Sequence, residues 1–160
     1  MDNPCGTLFE SFTVSMSERF NTAEEHSAGK FANRSMVRTV LFQILYQEEL
    51  NPGSLENLAE SYINRELPRH EPLLRFAKEL LKNTVEHREA IDEKIGALSH
   101  NWTLTRMSPT DRSILRLATA EVWYTDTPKP IAINEALELA KKFGTKESVA
   151  FVNGILDRVQ

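Results

Sequence analysis

One cysteine among 160 residues, Cys5, has no second thiol to pair with, so neither a disulfide framework nor a thiolate metal site is available. No stretch approaches the ~18–20 uninterrupted apolar residues that a membrane span requires, and the first residues lack the basic start and apolar run of a secretory signal. Both absences point to a reducing, cytoplasmic setting. A surplus of positive charge is missing too: 19 Lys and Arg stand against 23 Asp and Glu, for a formal net charge of -4. Any nucleic-acid site must therefore be a local patch. The sequence also lacks a glycine-rich phosphate loop, an HExxH pair and a nucleophile elbow, and His26, His70, His87 and His100 are scattered without paired ligands. The expectation is a protein with no cofactor, no metal and no catalytic activity.

What is present suits a folded domain. With 41% hydrophobic and 26% charged residues, the composition is globular, and a chain of this length buries about 70% of its unfolded surface. Apolar residues recur at helical spacing from Arg34 onward and no alternating strand pattern occurs. The expected fold is all-α, two packed helical bundles of about three helices each, over residues 31–98 and 99–160. Residues 1–30 read as an extension in which Leu8, Phe12, Met16 and Phe20 allow one short helix, with Met16 a second candidate start.

Val37, Val40, Leu41, Ile44 and Leu45 form the apolar stripe of a first helix, which Asn51-Pro52-Gly53 stops. Ser54 is placed to cap a second helix carrying Leu55, Leu58, Ala59, Tyr62 and Ile63. Leu73, Ala77, Leu80, Leu81, Thr84, Ile91, Ile95 and Leu98 predict a third helix across most of residues 72–98. Ser108-Pro109-Thr110-Asp111 is a strong start signal: a capping serine, proline in the first turn, and a carboxylate at the positive end of the helix dipole. Pro128 and Pro130 precede a further helix ending at Gly144, and Thr145 caps a last one with Val152, Ile155, Leu156 and Val159 inward. Gly154 falls inside that helix, where it would permit a close helix contact.

Three features bear on chemistry. His87 lies among Glu86, Glu89, Asp92 and Glu93, a charged run that reads as a solvated helix face. Glu121 sits in an apolar stripe between Leu117 and Val122, where a carboxylate needs a partner; an arginine-paired core glutamate is favoured over a functional acid, because no second catalytic group accompanies it. Lys30, Arg34, Arg38, Phe42 and Tyr46 form an i, i+4 ladder off the Val37/Leu41/Ile44 stripe. Cations hold phosphates and rings stack on unpaired bases, so the ladder suits single-stranded RNA. The evenly weighted alternative is that Arg38 is solvated while Phe42 and Tyr46 pack on a second bundle.

The stretch Asp111-Arg-Ser-Ile-Leu-Arg-Leu-Ala-Thr-Ala-Glu121, then Pro128, Ile133-Asn-Glu-Ala-Leu-Glu-Leu-Ala-Lys-Lys-Phe-Gly144 and Phe151-Val-Asn-Gly-Ile-Leu-Asp157, resembles the NusB family of transcription antitermination factors. Phe42-Gln-Ile-Leu-Tyr46 extends the resemblance to the first helix; residues 1–30 are outside it. The resemblance implies a fold of two helical bundles, boxA RNA as ligand, and the small-subunit ribosomal protein NusE as partner. It also implies a complex with other Nus factors that lets RNA polymerase read through terminators in ribosomal RNA operons. The family's arginine-rich entry aligns with Arg34-Ser-Met-Val-Arg38, where only the outer two cations remain, with Lys30 as a third. Tyr46, Glu147 and Phe151 fall at the implied RNA surface, Phe151 being equally placed as core, and Asp111 at the implied ribosomal-protein surface. Some family members pair with themselves, so a homodimer is a further option. The same fold occurs fused to RNA methyltransferases, but a chain ending at Gln160 has no room for a methyl-donor domain. The competing expectation is a self-associating structural protein that binds no RNA.

Overall fold

The computed structural model describes residues 29–100 and 102–160, with side chains from Arg34 onward; the expected helix within residues 1–30 lies outside the described residues. The described helices are α1 (Gly29–Leu50), α2 (Ser54–Glu66), α3 (Glu71–Glu86), α4 (Arg88–Leu98), α5 (Pro109–Tyr124), α6 (Lys129–Phe143) and α7 (Lys146–Leu156), with a short 3₁₀ turn at Leu104–Arg106. No strand occurs among the described residues, in keeping with the helical periodicity.

Helix α5 is the central element. Every residue from Ser113 to Glu121 is buried, and the helix packs against α3, α4, α6 and α7. Ser108 caps it as its sequence predicts: the Asp111 N–H donates to Ser108 Oγ at 3.1 Å, and Pro109 occupies the first turn, where no N–H is needed.

Helix α1 departs from the reading of one inward stripe. All residues from Val37 to Leu45 are buried, polar ones included. Helices lie against its flanks: Arg38 meets Glu121 of α5, Phe42 stacks on Phe143 of α6, and the Tyr62 hydroxyl of α2 donates to Gln43 Oε1 at 2.9 Å. Burial, with the nearby Glu66 carboxylate adding to it, pushes the Tyr62 phenol up to about 12, so this hydroxyl stays a donor. A helix enclosed this way can carry polar groups only where each finds a partner.

The corner after α1 is capped differently from expectation. Ser54 is the first residue of α2, and the cap position belongs to Gly53 in the left-handed region (φ 91°). Glu48 of α1 supplies the acceptor instead, taking the Gly53 N–H at 2.9 Å, the Leu55 N–H at 2.8 Å and the Ser54 hydroxyl at 3.1 Å. Leu58, expected on the inner stripe of α2, is 49% exposed.

The helix expected across residues 72–98 is two, α3 and α4, broken at His87 (φ -102°, ψ 17°). Between Thr84 and Ile91 the inner stripe has no apolar residue to hold the register, since the next positions are His87 and Arg88. The break lets the His87 ring stack on Tyr124 of α5 with centroids 4.1 Å apart.

Gly144 ends α6 for a reason other than left-handed geometry. Its backbone is extended (φ -91°, ψ -170°), yet a Cβ there would lie 2.6 Å from the Ser148 side chain and 2.8 Å from the Ala140 carbonyl oxygen. Only glycine fits so tight a passage. A capping box between Thr145 and Ser148 then starts α7. Gly154 is within α7 as read, but no atom approaches its Cβ position within 4 Å, so the expected close helix contact is absent.

Candidate nucleic-acid interface

Of the cations in the N-terminal ladder, Arg38 leaves the candidate site. Its Nε donates to Glu121 Oε2 at 2.9 Å and its second guanidinium nitrogen to Oε1 at 2.5 Å, with Glu135 Oε2 of α6 at 3.7 Å. Arg38 is 4% exposed and Glu121 1%. The sequence reading of Arg38 as a phosphate contact is thereby corrected: a carboxylate in the apolar stripe of α5 requires a buried cation, and Arg38 is that cation. Glu121 is the arginine-paired core residue favoured from the sequence. Ser35 donates to Glu135 Oε1 at 2.8 Å, so α1, α5 and α6 are joined by one polar chain.

Arg34 is exposed, one helical turn before Arg38, and its guanidinium lies 4.5 Å from the centroid of Phe76 on α3. That contact restrains the cation while leaving its edge to solvent. Lys30 falls in the first turn of α1, and its side chain lies outside the described residues.

An aromatic column runs from α1 to the end of α6. Tyr46, half-buried, stacks on Phe42 with centroids 5.9 Å apart, and Phe42 stacks on Phe143 at 4.8 Å. Phe42 is 3% exposed, so it supports the column from inside, while Tyr46 is the member of the ladder that reaches the surface. The Lys142 ammonium sits 5.5 Å from the Phe143 centroid. Just beyond Gly144, α7 carries Glu147, exposed, and Phe151, half-buried and so neither fully core nor fully surface. The fold thus links Tyr46 to the α6–α7 turn. Reading α1 alone does not bring Phe143 and Lys142 beside Phe42 and Tyr46; the packing of α6 on α1 does.

Asp111 lies at the start of α5, partly exposed, with Oδ1 enclosed and without a hydrogen-bond donor. Next to it a second ion network holds the N-terminal part of α5. Arg112 Nε donates to Glu49 Oε2 at 2.7 Å, Arg116 also pairs with Glu49, and Arg116 Nε donates to Asp92 Oδ1 at 2.6 Å. Arg88 adds a contact to Glu49 at 3.3 Å. Burial pushes the Glu49 carboxyl up, but the Arg112 hydrogen bond and the Arg116 charge and hydrogen bond outweigh it and hold it below its ordinary value. Burial likewise disfavours the Arg116 charge, yet hydrogen bonding and charge from Asp92, with Glu49, raise its pKa. Asp92 is thus part of a network rather than the solvated face read from sequence, whereas Glu86, Glu89 and Glu93 are exposed as expected.

Among the described residues, no group of three or more His, Cys, Asp or Glu could hold a metal ion, and no helix is long and apolar enough to cross a membrane. A pocket of about 150 Å³ between Leu45, Leu55, Thr84 and Val85 is bordered by Glu48, Glu49 and Arg116, whose charges already have partners in the helix-joining contacts.

The described residues define an all-helical scaffold whose buried charges are committed to holding helices together. The NusB family model matches residues 35–160, and the chain belongs to the NusB family. It is 43% identical over 128 residues to the transcription antitermination protein NusB of Trichlorobacter lovleyi, covering 79% of this chain and 89% of that one. Among solved structures it is similar to NusB of T. maritima, with a TM-score of 0.72 and 35% identity over 79% of this chain and 89% of that one. It is also similar to a chain in the crystal structure of antitermination factors NusB and NusE in complex with dsRNA. There the TM-score is 0.71 and the identity 25%, over 80% of this chain and 96% of that one.

Proposed function

We propose that this chain is a cytoplasmic transcription antitermination factor without catalytic activity. It binds boxA-type RNA of ribosomal RNA operons together with the small-subunit ribosomal protein NusE, and joins other Nus factors and RNA polymerase. The observation that carries this reading is the likeness, over nearly the whole of the relative, to a chain of the NusB–NusE–dsRNA structure. Residues 31–98 and 99–160 serve as two bundles that meet at α5. Lys30 and Arg34 hold phosphates, Tyr46 offers its ring to an unpaired base, and Glu147 and Phe151 border the bound strand. Asp111 faces the ribosomal protein.

Gel-shift titration with a boxA-type RNA oligonucleotide, alone and with the ribosomal protein, tests the reading. The pair should bind more tightly than this chain alone. Tyr46→Ala should weaken binding by about 1–3 kcal/mol with little change in salt dependence, because stacking involves no counterion release. No shift in either case, with self-association in its place, would overturn the proposal in favour of a structural role.

A further inference from the structure

We infer that Glu135 of α6 is a positioning residue for RNA binding: by holding Ser35 and Arg38 it sets the rotation of α1 where that helix leaves the bundle, and so the direction of Arg34 and Lys30. This rests on the RNA-binding reading above and adds a residue that acts without touching RNA.

Charge balance does not account for Glu135. Arg38 already has Glu121 as a bidentate partner, so a second carboxylate at 3.7 Å leaves the three groups with an excess negative charge. Nor does its own helix account for it. The residues three and four positions away in α6 are Ile131, Ala132, Glu138 and Leu139, which offer no cation and one like charge. What Glu135 does have is two contacts with α1. Its Oε1 accepts the Ser35 hydroxyl at 2.8 Å, and its Oε2 faces the Arg38 guanidinium.

Both contacts fall where α1 emerges. Val37 to Leu45 are buried, Ser35 and Met36 are half-buried, and Arg34 is exposed. The first turn of α1 has no acidic residue to meet the helix dipole, so its placement relies on contacts with other helices. Ser35 and Arg38 are three residues apart and share one side of α1, so a carboxylate held by both keeps the helix from turning about its axis. Arg34 lies ~100° round from Ser35, and Lys30, four residues earlier, lies within ~40° of Arg34. A rotation released at Glu135 therefore swings both cations together. Phe76 of α3, its ring centroid 4.5 Å from the Arg34 guanidinium, restrains that side chain, while Glu135 restrains the helix that carries it. An orientation held by the fold before RNA arrives lowers the ordering cost of binding.

The test is a double-mutant cycle on the full chain, with a boxA-type RNA oligonucleotide and the ribosomal protein, titrated over a range of salt and accompanied by thermal melts. Glu135→Ala should weaken binding about fivefold, the loss expected when the correctly turned fraction falls from near one to about 0.2. The slope of log affinity against log salt should stay as in the parent, because the bound state keeps its phosphate contacts, whereas Arg34→Ala flattens it by about 0.7. Ser35→Ala should match Glu135→Ala, and the two together should be no weaker than either alone. Glu135→Gln, which keeps an acceptor for Ser35 without the charge, should bind at least as well as the parent. Should Glu135→Ala fail to fold, Ser35→Ala and Glu135→Gln carry the comparison. Tighter binding by Glu135→Ala would mean that the residue acts only through its charge. Unchanged binding with a lowered melting temperature would mean that it serves stability alone, and additive losses would mean that Ser35 and Glu135 act separately. Each of these overturns the inference while the functional reading stands; absence of RNA binding by the parent refutes both.

Discussion

Replacing Glu121 by Gln changes almost no volume, so its effect isolates the charge that Arg38 faces. The pair is nearly inaccessible, at 4% and 1% exposure, and Glu135, at 3.7 Å, is the further carboxylate within reach of Arg38. Removing one member of a buried ion pair costs about 3–5 kcal/mol, because the other charge stays desolvated. With Glu135 able to compensate in part, the lower end of that range applies. At about 2 kcal/mol per molar urea, 3 kcal/mol moves the unfolding midpoint down by about 1.5 M, a large share of a typical total of about 5–15 kcal/mol. Urea titration followed by helical circular dichroism reads this directly. Arg38→Met together with Glu121→Leu removes both charges, and such replacements range from neutral to a gain of about 1–4 kcal/mol. That double variant should also keep the parent's salt slope for RNA. Two results would refute the reasoning: a cost below about 1 kcal/mol for Glu121→Gln, as for an exposed pair, or a slope flattened by about 0.7 in the double variant, as for a lost phosphate contact.

Glu48 sets an acid-sensitive corner. Burial pushes its carboxyl up, but hydrogen bonds from the Gly53 and Leu55 N–H groups and from Ser54 outweigh that and hold it below its ordinary value. A folded pKa below the unfolded one, about 4.3, means the stabilisation is complete above that pH and lost as pH falls through the folded value. Glu48→Gln should therefore flatten the acid limb of the urea midpoint against pH, and an unchanged limb would contradict the cap. Alanine at the two glycines should act with opposite signs in thermal melts. Gly144→Ala, meeting Ser148 at 2.6 Å, costs about 1–3 kcal/mol, whereas Gly154→Ala, in open space within a helix, gains about 0.5–1 kcal/mol. Asp111→Lys should weaken pull-down of the ribosomal protein while costing only about 0.3–1 kcal/mol of helix-dipole stability; unchanged pull-down would remove Asp111 from the partner surface.

Most helix positions in this chain follow from sequence alone, because the signals are local. An apolar period, Ser108 and Thr145 as caps, and the Asn51-Pro52-Gly53 stop each depend on residues within one or two turns. The demand of Glu121 for a cation was equally legible, since a carboxylate in an apolar stripe has few alternatives. Which cation answers it was not, because Arg38 lies 83 residues away along the chain. Periodicity tells which side of one helix is apolar, but not how many neighbours surround that helix. α1 is enclosed from Val37 to Leu45, so Arg38 and Phe42, off its stripe, are interior, and the ladder read from α1 keeps only Arg34 and Tyr46 at the surface of its described side chains. The same enclosure brings Phe143 and Lys142 beside that ladder, a juxtaposition made by the packing of α6 on α1 and by no spacing within either helix.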